Sequence, residues 1–347
     1  MCSFRDGRWF EPGTESAARR FARDGKAGND GGAYHFESGE LKRGAALVLE
    51  AAGPEAAPVS VLSVALFVGG GLVLLVVLVW LGIALFGPQR WRERFSGERP
   101  ILGLGLAFPV VVLTGLLVIG LAMTASLSSS EAKPGALPIR IEGEQWWWRV
   151  SYPGFETANE IVIPTGRPVQ LQLVSDNVIH SFWVPQLSGK RDMIPGHDNR
   201  LNIQADRPGT YFGICAEYCG GPHALMQMRV HALAPADYAR WEAGQRRRAA
   251  VPGGPEAREG AELFLTIGCG KCHTVRGTPA NGHEGPDLTH IASRSTLASG
   301  IMPMGRDELT RWTRRAQDIK PNNLMPEYPY APVREIDAIS AYLMELE

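Results

Sequence analysis

Cysteine is scarce in this chain: five in 347 residues, too few to staple a protein of that size, which excludes a disulfide scaffold. Neither sign of charge dominates. The 35 Lys and Arg offset 36 Asp and Glu, for a formal net charge of -1. That balance excludes a globally basic nucleic-acid binder and an acidic disordered tail protein. No internal repeat is present, so solenoids and propellers fall away. The first 57 residues lack the apolar core of a secretory signal, and Cys2 follows Met1 directly, which leaves no room for a lipoprotein cleavage box. A mean hydropathy of -0.08 suggests a soluble protein. That average conceals two stretches from which charge is missing altogether.

Val61 to Phe86 is a run of 26 residues without a charge, and Ile101 to Leu127 is equally clean. A helix needs ~20 apolar residues to cross the hydrocarbon core, so both runs are expected to span a membrane rather than lie in a soluble core. The segment between them carries Arg90, Arg92, Arg94 and Arg99 against Glu93 and Glu98. Short Arg-rich loops stay in the cytoplasm, so everything after about Ser128 is expected outside. Pro109, inside the second run, is tolerable in a membrane helix. If the hairpin reading holds, residues 1–57 form a polar segment that has to be exported too; their role is open.

Residues 130–244 read as an all-β module, with RIEGEQWWWRVSY, PVQLQLVS, NRLNIQA and TYFGIC alternating between Gly and Pro turns. The stretch 245–255, which runs into VPGGPE, has linker composition. From residue 256 to 347 the pattern is helical: EAREGAELFLTIG, RDELTRWTRRAQDI, then PVREIDAISAYLMELE with Val333, Ile336, Ile339 and Leu343 expected on one buried face.

Two residue clusters carry chemistry. The first is CAEYCGGPHALM, which sets Cys215, Glu217, Cys219, His223 and Met226 in a C-x-E-x-C-x3-H-x2-M pattern, while His180 lies upstream in NVIHSFWVP. Thiolates, imidazoles and a thioether are soft or borderline donors that suit copper rather than magnesium or calcium. A mononuclear blue-copper site needs one cysteine; here a second lies on the same loop, so two facing thiolates can bridge two coppers. A Cys215–Cys219 disulfide or a structural zinc site would leave the full donor pattern unexplained.

The second cluster is Cys269-Gly270-Lys271-Cys272-His273, the C-x-x-C-H attachment sequence for c-type haem. Two thiols three apart can form thioethers to the two vinyl groups, and His273 reaches the iron. A redox C-x-x-C is the bland alternative. For the sixth ligand Met325 is favoured over Met302 and Met304, each of which can equally serve packing. The remaining histidines, His35, His197, His231, His283 and His290, have no ligand spacing and read as surface or structural.

The passage from Gly143 to about Trp241 resembles subunit II of the haem–copper cytochrome c oxidases, through GEQWWW, NVIHSFWVP, KRDMIPG, RPGTYFGICAEYCG and PHALM. PNNLMPEY and GPDL in turn resemble the axial-methionine and proximal-histidine loops of class I cytochromes c, and the pair resembles the bacterial oxidases with a fused cytochrome c domain. The resemblance implies a multidomain membrane protein: a transmembrane helical hairpin (58–129), an all-β cupredoxin-like barrel (130–244) and an all-α class I cytochrome c domain (256–347). It implies a binuclear CuA centre held by His180, Cys215, Cys219, His223 and Met226 with the Glu217 carbonyl. The Glu217 carboxylate would help hold Mg2+ or Mn2+ shared with subunit I. Trp146 would be the surface aromatic where electrons come in, and at least one of Trp147 and Trp148 would be buried in the barrel core. Haem c would be attached at Cys269 and Cys272, with His273 and Met325 as axial ligands and the Pro286 carbonyl accepting from His273.

Two departures stand out. Leu102 occupies the position where relatives carry a proton-channel Glu, leaving either Glu98 as its substitute or another route for those protons. Asn177 replaces a common Asp.

The function implied is an electron-input subunit of a terminal oxidase. It passes electrons from a cytochrome c through haem c and CuA to subunit I, where O2 is reduced to water with proton translocation. Subunits I and III and a cytochrome c donor are the implied partners, with no nucleic acid. The implied location is multi-pass in the bacterial inner membrane, with both cofactor domains on the periplasmic side. The alternatives are a CuA-bearing subunit of a nitric oxide reductase, a stand-alone tethered electron carrier, and, with no place for the haem, a copper chaperone.

Overall fold

The computed structural model describes residues 49–347 except 96 and 128–130. Cys2, His35, Ser128 and most of the N-terminal polar segment lie outside the described residues.

Two helices are long and apolar enough to cross a membrane, α1 (Ala57–Phe86) and α2 (Glu98–Leu127), and neither buries any of its apolar window in the protein. Pro58 enters α1 in its first turn, where a missing N–H costs nothing. Within α2 the turn Ile101–Ala107 is widened, so that the Phe108 N–H bonds to Gly103 O, five residues back. Pro109 follows directly. It has no N–H to donate and its ring crowds the carbonyl four residues earlier, and a widened turn relieves that conflict. Where the two helices leave their apolar stretches, Lys133 makes an ion pair with Glu55. The strap before α1 is bonded to the domain beyond: Ala52 N–H donates to Gln186 O at 2.8 Å, and Asp206 N–H to Ala52 O at 2.9 Å.

Ten strands follow, in two five-stranded sheets. One has the order β3 (Phe155–Ala158), β2 (Trp147–Tyr152), β1 (Leu137–Glu144), β5 (Val169–Ser175), β8 (Asn199–Ile203). The other runs β4 (Glu160–Pro164), β10 (Gln227–Leu233), β9 (Gly209–Cys215), β6 (His180–Trp183), β7 (Arg191–Met193). Alternate residues of β1 and β5, among them Ile139, Ile141, Leu171 and Leu173, meet Ile161, Ile163 and Phe182 of the second sheet in one core. Each such side chain contributes roughly 1.5–3 kcal/mol by leaving water. Trp148 sits fully inside this core while Trp147 stays half-buried. Tyr152 pins the two sheets: its hydroxyl donates to Val162 O at 2.9 Å and accepts from Val162 N–H at 2.8 Å.

The all-β reading of 130–244 needs one correction. Pro235–Gln245 is a helix, α3, started by a proline in its first turn. Its Trp241 closes the end of the sandwich against Tyr152 and Phe155, at ring separations of 5.3 and 5.6 Å.

Past the 245–255 stretch, α4 (Pro255–Thr266), α5 (Arg306–Arg314) and α6 (Val333–Met344) surround a second core. A two-residue ladder, β11 (Thr296–Leu297) with β12 (Met302–Pro303), is the only strand pairing there among the described residues. Ile336, Ile339 and Leu343 of α6 are buried as their spacing requires. Val333, the first residue of α6, is not: it is 56% exposed. The fold is thus two apolar helices, a two-sheet β domain and a helical domain.

Candidate metal and haem sites

The loop from β9 to β10 folds back so that its soft donors converge. Cys215 ends β9, His180 opens the neighbouring β6, and Met226 immediately precedes β10. The strand pairing therefore fixes three of the donors, and the loop supplies the rest. The two thiol sulfurs are 3.8 Å apart, which is a non-bonded separation and no disulfide. Around them the donors divide evenly. Cys215 Sγ faces His180 Nδ1 at 3.8 Å and the Glu217 carbonyl at 3.2 Å. Cys219 Sγ faces His223 Nδ1 at 3.5 Å and Met226 Sδ at 3.8 Å. The ligand atoms of His180, Cys215 and Cys219 all lie within 4.8 Å of one another, and all three residues are buried.

The chemistry of this donor set fits copper: two thiols in the middle, one imidazole and one weak donor at each end. The sulfur–sulfur contact, more than burial, pulls the Cys215 thiol well below the usual range, while the same contact and burial hold Cys219 well above it. Asn177 takes up the orienting role: its Oδ1 lies 3.1 Å from His180 Nε2, which leaves Nδ1 for the metal side. Gly143 on β1 makes room for the same ring; a Cβ there would fall 2.8 Å from it. The Glu217 carboxylate points away from the thiols to the surface, 3.4 Å from Lys190 Nζ.

The second site forms at a turn after α4. Cys269–Lys271 is a single 3-10 turn, and His273 follows it. The His273 ring nitrogen Nδ1 is 2.8 Å from Pro286 O, so Nε2 is free to ligate. Burial lowers its pKa, which favours the neutral ligand form. Gly285 lies flat against the ring; a Cβ there would come within 2.6 Å of His273 Cε1. Cys272, His273 and Met325 line one cavity of about 380 Å³ with Leu309 and Trp312. Cys269 lies beside it in the helical core, its thiol pushed up to about 11 by burial. Neither Met302 nor Met304 lines that cavity. Met302 is only 2% exposed and belongs to the core, and Met304 packs against its margin. The loop carrying Met325 is braced by Asn323 Oδ1, which accepts the Met325 N–H at 2.9 Å, and by Gln317. A wall holding one histidine, one thioether and one cysteine around an apolar space fits a covalently attached haem.

Trp146 differs from the expected surface aromatic. It is 8% exposed, because the helical domain packs over it: Ser299 Oγ and Lys320 Nζ both donate to its carbonyl, at 2.9 and 2.6 Å. Its indole Nε1–H donates to Cys219 O at 2.9 Å, and its ring helps to line the cavity that His273 lines. Two groups at this seam were missed in the sequence. One is Lys320. The other is Glu160, whose carboxylate accepts from Ser295 and Thr296 at 2.7 to 3.0 Å and faces His231 Nε2 at 3.2 Å. Neither stands in a recognisable motif, and Trp146 and Ser295 lie far from Lys320 and Glu160 in the chain.

Comparison with known proteins agrees with both halves. Residues 154–233 match the family described as cytochrome c oxidase subunit II, periplasmic domain, and residues 257–347 match the cytochrome c family. Cytochrome c oxidase subunit 2 of Alkalihalophilus pseudofirmus is 32% identical over 267 residues, covering 75% of this chain and 77% of that protein. The subunit 2 of a Bacillus species is 31% identical and covers 71% of each chain. Among solved structures, the periplasmic domain of subunit II of the Bradyrhizobium japonicum cytochrome oxidase aligns at 29% identity and a TM-score of 0.33, covering 33% of this chain and 97% of that one. The subunit II domain implies copper and the cytochrome c domain implies haem c. With a thiol pair set among soft donors and a C-x-x-C-H turn beyond it, the chain belongs to the cytochrome c oxidase subunit 2 family, in a form that also carries a cytochrome c domain.

Proposed function

We propose that this chain is the electron-input subunit of a haem–copper terminal oxidase. It takes electrons from a cytochrome c at a haem held by its own residues 256–347. It passes them to a binuclear copper centre in residues 130–244, and from there to the catalytic subunit I, where O2 is reduced to water with proton translocation. The observation that carries this reading is the even division of donors around the two thiols. Cys215 and Cys219 would hold the copper together with His180, the Glu217 carbonyl, His223 and Met226. Bound there, the copper pair and the iron supply reversible one-electron chemistry.

The chain's own residues do the rest. Trp148 and the sandwich core exclude water behind His180, whose ring is 6.3 Å from the Trp148 ring. Asn177 and Pro286 fix the orientation of the two histidines. Cys269 and Cys272 would hold the porphyrin and Met325 would face His273 across the cavity; His/Met ligation raises a haem potential toward that of an oxidase donor. Because both groups belong to one chain, transfer between them is an intramolecular event at high effective concentration. The exposed Glu217 carboxylate would offer an oxygen ligand to Mg2+ or Mn2+ at the contact with subunit I. Subunit III would complete the assembly. The helices α1 and α2 support a hairpin with its Arg-rich turn in the cytoplasm and both cofactor domains on the periplasmic face of the bacterial inner membrane.

Metal analysis with visible and near-infrared spectra of the purified, matured chain tests this. The expected result is copper in twofold excess over haem iron, with a c-type α band beside a mixed-valence dicopper absorption. Cys219→Ser should abolish the dicopper absorption and leave the α band. A single copper, or zinc, would defeat the proposal.

A further inference from the structure

Lys320 is 3% exposed, and a buried amine survives only with partners. It has three, all across or along the seam between the two domains. Nζ donates to Trp146 O at 2.6 Å, to Ser299 Oγ at 2.9 Å and to Ala298 O at 3.3 Å. Ser299 spends its own proton on Trp146 O. All three partners therefore act as acceptors, a demand met by the three donors of an ammonium group. Burial pushes the Lys320 pKa down to about 7.

The turn that presents two of those oxygens is itself unusual. Ala298, Ser299 and Gly300 hold φ of 54°, 64° and 83° in succession, a conformation that alanine and serine rarely adopt. The turn also grips the strand beyond the copper loop: Gln227 N–H donates to Ser299 O at 3.1 Å and Arg229 to Gly300 O at 3.3 Å. Gln227 directly follows Met226. On the other side, Trp146 Nε1–H and Gln145 Nε2 both donate to Cys219 O, at 2.9 and 3.1 Å. A continuous chain of contacts thus joins Lys320, on the wall of the haem cavity, to the carbonyl of a copper-loop cysteine.

We propose that Lys320 is a positioning residue that clamps Trp146 as a fixed bridge between the haem cavity and the copper loop, and that this clamp closes the Trp146 face to outside donors. The proposal rests on the functional reading given above. The step it serves is a single electron transfer in which ferrous haem is oxidised and the oxidised copper pair reduced, with no bond made or broken.

The test uses the full-length, haem- and copper-loaded chain in detergent, with Lys320→Met. Two readouts are taken: backbone hydrogen exchange at residues 145–148, and the rate of haem-to-copper electron transfer after light-triggered reduction. Exchange should rise about tenfold and transfer should slow at least about tenfold, with both absorptions unchanged. Adding Trp146→Phe, which removes the donor to Cys219 O together with part of the ring, should slow transfer no further than the slower single variant. If Lys320 serves stability alone, the melting temperature falls while exchange and transfer stay within about twofold of wild type, and the proposal is overturned. If Lys320→Met does not accumulate, Ser299→Ala removes the hydroxyl shared by Lys320 and Trp146 and must move both readouts in the same direction; no change overturns the proposal equally. A wild-type chain without dicopper absorption would defeat the functional reading alone, since the exchange readout still decides whether the clamp exists.

Discussion

At the scale of single residues, the sites depend as much on what is absent as on the ligands. Gly143 and Gly285 each lie under the imidazole of a proposed ligand, His180 and His273, with no space for a methyl group. Gly143→Ala should therefore block copper uptake and leave the haem band, and Gly285→Ala should do the reverse, both read from absorption spectra. Each overpacked ring should also cost about 1–3 kcal/mol of stability, measured by denaturant melts. Met325→Leu should keep the haem attached but shift its low-spin spectrum and lower its potential, whereas Met302→Leu, in the core, should leave the spectrum intact and cost less than about 1.5 kcal/mol. The proposed ligands within Cys215–Met226 and Cys269–His273 were legible in the sequence because their spacings are short, whereas His180 and Met325 stand apart from their clusters. Lys320 and Glu160 were not legible, because Trp146 lies 174 residues from the first and Ser295 lies 135 from the second, and nothing local marks a surface residue that another domain will cover. For the same reason Trp146 read as a surface side chain.

At the scale of elements, β4 and β11 meet through one carboxylate. Burial would raise the pKa of Glu160, but hydrogen bonds from His231, Ser295 and Thr296 together prevail and bring it to about 2. A carboxylate with a depressed folded pKa contributes stability that is fully present above its unfolded value and lost as pH falls through the folded one. The seam should hold at neutral pH and weaken between about pH 4.5 and 2, by at most about 3 kcal/mol. Hydrogen exchange at Ser295 and Thr296 across that range checks this, and Glu160→Gln should flatten the profile. The strands themselves were readable from alternation, as in β1 and β5. Helix α3 was hidden because its eleven residues bury little beyond one aromatic edge, so the pattern around Tyr238 and Trp241 is too sparse to establish a period. The widened turn of α2 likewise depends on hydrogen bonding around Pro109, which composition alone leaves undecided.

At the scale of the whole molecule, the seam and the membrane helices are separate structures. Every bond of the seam lies beyond residue 143, so a fragment starting at Glu131 should remain monodisperse without detergent and retain the exchange protection of Trp146. Size-exclusion chromatography and exchange of that fragment test the claim; loss of protection would mean that the helices help to hold the domains together. The order of the chain, membrane anchor then β domain then helical domain, was visible from composition because each environment selects its own hydrophobic period. How the last two domains meet was not.

The strap at Ala52 and the Lys133–Glu55 pair secure the β domain to both helix ends at once. A head moored at two feet cannot swivel as one on a single flexible line would. On the proposed function, its heading relative to the two apolar helices would be set before a catalytic subunit docks, and assembly would need only to match a face already presented.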